Sequence, residues 1–451
     1  MKHKSVAAVT LGCKVNYAET SAILDSLVSQ GWRLTRIEDG ADLIIVHTCA
    51  VTGQAEQKAR QQIRKIIRKN PGSRVAVIGC YAQLDPARLA GIDGVSIVLG
   101  TTDKFDCSHY SYDPEPGDAS PLVKASSVRD LSVAFPANSL LCQPEQGRTR
   151  AFLKIQDGCS YGCAYCTIPL ARGRSRSVPL EIVLDSATKI ANAGYREIVL
   201  TGINIADYRD GEIGFAALLK RLEEVNISRI RIGSVEPDLL DDELVETVAT
   251  SEKIMPHFHL PLQSGSDRVL RAMGRHYDTK IYRERLLKAV SSISGCGIGA
   301  DVMIGYPGES ECDFEEMYRF IEELPVAYLH VFTCSVRPGT QLYRQVNDRQ
   351  VMRVHPDEAA SRYSRLVDLG ERIERRFAAS FIGSRLRVLF EDGSQDDGGQ
   401  TVLRSGYSGN YLRVGVDVAA AMNPEEMRGR EYDVFIDGFG DGLQLHGRLL
   451  F

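Results

Sequence analysis

Cys159, Cys163 and Cys166 stand in the run Asp157-Gly-Cys-Ser-Tyr-Gly-Cys-Ala-Tyr-Cys166, a C-x3-C-x2-C spacing that offers three thiolates from one short loop. A cube of four irons held by three thiolates keeps one iron open. The motif therefore suits a cluster that binds a small molecule at iron and passes it one electron. Zinc would want a fourth Cys or His at a fixed offset, and the next His downstream is His257. A disulfide loop is disfavoured as well: Met1-Lys-His-Lys4 leads into no apolar signal-peptide core, and no apolar run reaches membrane-spanning length. A soluble, cytoplasmic protein in a reducing compartment is the expectation.

Cys13, Cys49 and Cys80 form a second set, each closing or just following a strand-like run: Val6–Cys13, Leu43–Cys49 and Val75–Cys80. Short apolar runs separated by helical patterns predict a parallel sheet. In such a sheet the loops after neighbouring strands lie side by side, so three cysteines far apart in sequence converge. Taken singly each is an ordinary buried thiol; in equivalent positions they predict a second three-cysteine cluster. Cys107, Cys142, Cys296, Cys312 and Cys334 carry no such pattern and are read as structural.

Positioning these groups takes more than one core. The 451 residues, 43% of them hydrophobic, predict about three domains. The net charge of -5 offers no bulk attraction to nucleic acid, so any RNA contact must come from local patches. The expected division is an N-terminal parallel α/β domain at 1–107, a linker at 108–147 marked by prolines at 114, 116, 121, 136 and 144, a second α/β domain at 148–379 and a small β domain at 380–451. In the second, strand signals at 152–155, 197–200, 230–232, 258–260, 298–302 and 328–332 alternate with helical patterns such as 179–193 and 215–225. They predict a partial (β/α)6 TIM-like barrel with its site at the carboxyl ends of the strands. After a charged helix at 357–379, short alternating strands with Gly turns predict a small antiparallel β-barrel of OB-like size.

Thr10-Leu-Gly-Cys-Lys-Val-Asn16, Cys49 and Gly79-Cys-Tyr-Ala-Gln83 precede the Cys159–Cys166 loop, which is followed by Thr167-Ile-Pro-Leu-Ala-Arg-Gly-Arg-Ser-Arg176. Further on come Leu260-Pro-Leu-Gln-Ser-Gly-Ser266, Arg271-Ala-Met-Gly-Arg275 and Asp301-Val-Met-Ile-Gly-Tyr-Pro-Gly-Glu309. This ordered set resembles the radical-SAM methylthiotransferases over nearly the whole chain, and Gly406-Tyr-Ser-Gly-Asn-Tyr411 resembles their terminal TRAM domain. Around Cys13 the residues are most similar to the branch acting on N6-threonylcarbamoyladenosine at position 37 of tRNA, although Tyr17-Ala-Glu19 departs from the Gln-Tyr-Glu expected there. The branches acting on isopentenyladenosine or on a ribosomal-protein aspartate are alternatives, and a non-catalytic iron–sulfur carrier with an RNA-binding module is an alternative of another class.

The resemblance implies two [4Fe-4S] clusters, one on Cys159, Cys163 and Cys166 and an auxiliary one on Cys13, Cys49 and Cys80 that carries sulfide or persulfide. It implies S-adenosyl-L-methionine as cofactor, used once to methylate that sulfur and once to generate a radical. Expected contacts for the cofactor are Tyr165, Thr201, Gly202, Ser234, Glu236, Gln263, Asp301, Ile304 and Gly305. The implied partners are the tRNA anticodon loop and an electron donor such as flavodoxin or ferredoxin. His257 and His259 are read as satisfied barrel histidines rather than ligands.

Candidate RNA contacts are Arg60, Arg64 and Arg68, one face of a helix at i, i+4 spacing, with Arg172, Arg174 and Arg176 beside the cluster loop. The C-terminal segment from Phe381 has seven Arg and no Lys against eleven acidic residues. Contact there would rest on Arg385, Arg413 or Arg430 and on Tyr407 or Tyr411 stacking on bases.

Overall fold

The structure is a computed structural model and describes residues 4–113, 120–129, 131–132, 134–138, 149–395, 401–419 and 427–450. Cys142 and the linker residues 114–119, 130, 133 and 139–147 lie outside the described residues.

The N-terminal sheet comprises β1 (Ser5–Leu11), β2 (Arg33–Leu34), β3 (Leu43–Thr48), β4 (Arg74–Gly79), β5 (Val95–Leu99) and β6 (Leu122–Lys124), all parallel in the order β2-β1-β3-β4-β5-β6. Every residue of β3 is buried. Helices cover both faces of a parallel sheet, so its central strands read as continuous apolar runs rather than alternating ones. The order reverses beside β1, and the crevice at such a switch point opens beyond the carboxyl ends of the strands. The segment 108–147 is therefore not a simple linker. It supplies β6 to this sheet, and β7 (Ala137–Asn138) pairs antiparallel with the first strand of the next domain.

The second domain holds six parallel strands: β8 (Arg150–Lys154), β9 (Glu197–Thr201), β10 (Arg229–Arg231), β11 (His257–His259), β12 (Gly297–Ile304) and β13 (Tyr328–Thr333). Parallel bridges Ile230–Ile254 and Ser234–His259 join β10 to β11, which completes one curved sheet. Its lumen and outer helices enclose a single core that includes Leu153, Ile198, Ile230, Phe258, Ile298 and Phe314. The long helix Pro356–Ala379 packs on β13 and leads into the third unit.

That unit is a closed antiparallel-dominated barrel of β14 (Arg385–Gln395), β15 (Thr401–Ser408), β16 (Arg413–Ala419), β17 (Glu431–Phe439) and β18 (Leu445–Leu450), ordered β14-β15-β16-β18-β17. It is fastened under the amino ends of the larger barrel's strands by buried arginines. Arg229 donates to the carbonyls of Tyr407 (3.0 Å) and Arg387 (2.8 Å), and Arg231 to those of Gly409 (2.9 Å) and Ser408 (3.1 Å). No described helix is long and apolar enough to cross a membrane.

Asp25, half-buried on the helix Lys14–Ser29, has its carboxyl lifted by burial to about 6. An unfolded aspartate titrates near ~3.9, so the folded chain holds an extra proton between those values and loses stability as pH rises through about 6. Asp25→Asn is expected to raise the melting temperature at mildly alkaline pH, with the gain shrinking in acid below that window; a gain that is constant with pH would contradict this.

Candidate active site between two cysteine trios

Strand register brings the first trio together. Leu11 of β1 pairs with Thr48 of β3, and Thr48 with Gly79 of β4, so Cys13, Cys49 and Cys80 leave the sheet side by side. Gly79 has φ +104, and a Cβ there would sit 2.5 Å from the His47 ring, so a larger residue could not make this exit. Burial pushes the Cys49 thiol up to about 12, with the nearby Cys80 and Cys13 adding to the shift. Such thiols are neutral until a metal displaces their protons.

The second trio lies on the loop after β8. Gly158, at φ +68, starts it; a Cβ at that position would meet the Arg174 carbonyl at 2.1 Å. The Tyr161 and Ile168 amides approach the sulfurs of Cys159 and Cys166, each at 3.4 Å, and Arg275 Nη1 lies 3.2 Å from Cys163 Sγ. These donors stabilise thiolates over thiols, whereas burial lifts Cys159 to about 11 and Cys166 to about 12. Arg275 is itself paired with Glu236, whose carboxyl burial raises to about 7.

A tetrahedral zinc would hold its sulfurs about 3.8 Å apart. Among the described residues, the donor atoms within 4.8 Å of one another belong to His259, Asp301 and His330, and to neither trio. The wider spread of both cysteine sets fits a polynuclear cluster.

Between the trios runs a fully buried ionic network. Glu19 accepts from Lys104 (2.7 Å), Lys154 (2.6 Å) and Arg172 (2.9 Å). Asp157 meets Lys154 (2.8 Å), Arg172 (2.9 Å) and Arg176 (3.2 Å). Burial opposes ionisation of Glu19, yet Arg172, Lys104 and Lys154 together hold its carboxyl well below the usual range. Arg172 also reaches Asn16 Oδ1 at 2.9 Å and Cys80 Sγ at 3.3 Å. It belongs to the short helix Ile168–Arg172 that follows Cys166, so one guanidinium ties the radical loop to the other trio. Lys104, Lys154, Arg172 and Arg176 outnumber the two carboxylates. A thiolate-held cluster on Cys13, Cys49 and Cys80 would supply the missing negative charge.

Two cavities open between the trios and share Asp301. One of about 440 Å³ is lined by Cys13, Lys14, Thr201, Gly202, Ser234, His257 and His259; the other, about 400 Å³, by Cys166, Tyr165, Gln263 and by Val51 and Thr52 just past Cys49. Gln263 has φ +63 and a buried Oε1 without a partner, and Thr201 Oγ1 is likewise unpartnered, as suits groups awaiting a ligand. Of the residues singled out in the sequence, Tyr165 and Gln263 line one cavity, Thr201, Gly202 and Ser234 the other, and Asp301 both. Glu236 acts through Arg275, and Gly305 lines a separate cavity with Cys334. Ile304 differs: its side chain is fully buried in the barrel core and lines neither cavity.

Arg172 and Arg176 are corrected as RNA contacts, since both are buried and committed to Asp157. Tyr411 is half-buried. Held at φ +73, its ring packs on His257 (4.8 Å) and Tyr407 (4.9 Å) under the Arg231 guanidinium, where it lines the cavity and also a groove shared with Tyr407 and Arg413. Arg60 is half-buried and donates to Tyr81 Oη at 2.7 Å, whereas Arg64, Arg68, Arg174 and Arg413 are exposed. Arg385 is paired with Asp433. His259 Nδ1 bonds Ser234 Oγ at 3.2 Å, and its Nε2 lies 3.0 Å from Asp301 without hydrogen-bond geometry; His257 bonds Tyr328 Oη at 2.9 Å, and among the described residues its buried Nδ1 has no partner. Cys107 donates to Ser26 Oγ, Cys296 packs in the barrel core and Cys312 is exposed.

Fold and cysteine loop together define a radical-SAM enzyme: residues 153–321 match the Radical SAM superfamily, and residues 5–100 match the uncharacterized protein family UPF0004. A radical S-adenosylmethionine methyltransferase from Kitasatospora setae, solved with cobalamin and a [4Fe-4S] cluster bound, has a similar fold, with TM-score 0.56 and 15% identity over 77% of this chain and 78% of that one. The threonylcarbamoyladenosine tRNA methylthiotransferase MtaB of Bacillus subtilis is 37% identical over 91% of this chain and 90% of its own; that of Aquifex aeolicus is 36% identical over 74% and 82%. A tRNA-2-methylthio-N(6)-dimethylallyladenosine synthase from Prosthecochloris aestuarii is 31% identical over 89% and 90%. The chain belongs to the radical-SAM methylthiotransferase family and, within it, to the MtaB-type branch.

Removing one member of a buried ion network leaves its partners uncompensated, at about 3–5 kcal/mol. Glu19→Gln is expected to lower the unfolding free energy by that amount in urea titration. A loss near that of an exposed pair, under about 1 kcal/mol, would contradict a dry network.

Proposed function

We propose that this chain places a methylthio group on C2 of adenosine 37 in tRNAs whose N6 carries a threonylcarbamoyl group. The observation that carries the reading is the pair of cysteine trios, bridged by Arg172 and opening onto cavities that meet at Asp301. The names of the Bacillus and Aquifex relatives support the substrate.

The C2–H bond of adenine has negligible acidity, so no side-chain base of accessible pKa could take that proton. When bound, a [4Fe-4S] cluster on Cys159, Cys163 and Cys166, S-adenosylmethionine and a second, sulfur-bearing cluster on Cys13, Cys49 and Cys80 supply homolytic chemistry and a transferable sulfur. The protein's own residues do the rest. Arg275 and the amides of Tyr161 and Ile168 hold thiolate charge at one trio, and Arg172 does so at Cys80. Tyr165, Thr201, Gly202, Ser234 and Gln263 orient the cofactor across the two cavities. Enclosure by both domains keeps water from the reacting carbon.

Arg64 and Arg68 on the helix Gly53–Lys69, with Arg174 and Arg413, are the exposed cations we assign to phosphate contact. Electrons come from a one-electron carrier such as flavodoxin or ferredoxin, in the cytoplasm.

Nucleoside mass spectrometry of tRNA from a strain lacking this gene should show threonylcarbamoyladenosine without its 2-methylthio form; accumulation of isopentenyladenosine, or loss of a ribosomal-protein modification, would contradict the substrate. In purified protein, Cys163→Ala should abolish release of 5'-deoxyadenosine, whereas Cys49→Ala should spare that release and stop thiolation.

A further inference from the structure

Lys14 follows Cys13 at the start of the helix Lys14–Ser29 and lines the cavity of about 440 Å³. Its side chain is exposed to the water of that cavity. Among the described residues it has no hydrogen-bond or ion-pair partner. A cavity-lining ammonium without a counter-ion offers a charge-assisted hydrogen bond to an anionic ligand.

The surrounding charges do not provide that anion. The groups that face Lys14 are Tyr411, Arg150, Arg231 and Glu197. Glu197 is taken by Arg231 at 2.8 Å and also meets Arg150 and Arg229, which pair in turn with Glu391 and Glu431. Asp301 is engaged by His259 at 3.0 Å and His330 at 3.3 Å. Lys14 is among the charged groups that face His257. A second donor lies in the same cavity wall. His257 Nε2 is bonded to Tyr328 Oη, which leaves its buried Nδ1 as the free ring nitrogen.

We infer that Lys14 and His257 form a carboxylate subsite on the part of the cavity wall shared with Tyr328 and Tyr411, apart from Thr201, Gly202 and Ser234, and that it takes the threonyl carboxylate on N6 of the target adenosine. The inference rests on the function proposed above and adds to it the group that selects the substituent. A neutral, apolar N6 substituent would leave the ammonium unpaired, so the subsite discriminates by the penalty on the wrong base as much as by attraction to the right one.

The test uses anaerobically reconstituted full-length protein and two synthetic anticodon hairpins, one carrying the threonylcarbamoyl carboxylate and one its carboxamide. Wild-type kcat/KM for 2-methylthio product is expected to be roughly 10- to 100-fold lower on the carboxamide, the worth of a charge-assisted hydrogen bond. Lys14→Gln should lose activity on the carboxylate hairpin by a similar factor and treat the two hairpins alike. Lys14→Arg should keep the preference. If Lys14→Gln depresses both hairpins equally, as a role toward S-adenosylmethionine or in folding would require, the subsite is overturned; so it is if the wild type is indifferent to the carboxamide. A wild type that modifies neither hairpin would instead overturn the proposed substrate, and the subsite with it.

Discussion

Glu19 has no exposure to solvent, and three cations from two domains close on it: Lys104 from the N-terminal sheet region, Lys154 at the end of the first barrel strand and Arg172 from the helix after the cysteine loop. A charge buried in this way is costly unless every partner is present and well oriented. The requirement is mutual, so neither domain can shift on the other without stranding charge in a dry interior. Because Arg172 also touches Cys80, the same contacts that join the domains fix where one cysteine trio stands relative to the other. An interface held by apolar contact alone would tolerate sliding; this one has a defined register.

The lumen of the larger barrel is closed from its other end by similar means. Arg229 and Arg231 bind carbonyls of the turn that carries Tyr411, and the Tyr411 ring stops the cavity floor. The C-terminal barrel thus contributes Tyr411 to the wall of the cavity of about 440 Å³. Two of the four exposed arginines proposed for phosphate contact lie on the helix Gly53–Lys69, whose apolar stripe Ala59, Ile63 and Ile66 faces the sheet and turns Arg64, Lys65 and Arg68 outward.

Much of this was legible in the sequence because it depends on period and spacing. Continuous apolar runs announced the parallel strands, and cysteines placed just past three of them announced their convergence, which pairing of Leu11, Thr48 and Gly79 then brings about. What stayed hidden depends on burial. Arg172 and Arg176 sit in a run that looks like a basic surface patch, and nothing local reveals that Glu19 and Asp157, one from another domain, draw them inside. The Ile304 side chain was misplaced for the same reason: a motif gives order along the chain, not the direction in which a side chain points. Lys14 was overlooked beside a more conspicuous cysteine, and its meaning depends on a tally of partners that only three dimensions supply.

The central claim is that two clusters face one shared space, and the direct measurement is low-temperature EPR of the anaerobically reconstituted, reduced protein alongside its Cys49→Ala and Cys163→Ala variants. The account predicts that the wild-type spectrum is broadened and split by magnetic coupling between two nearby paramagnets, and that each variant returns the simple signal of a single cluster. A wild-type spectrum equal to the sum of the two variant spectra would place the clusters out of reach of one another and contradict it.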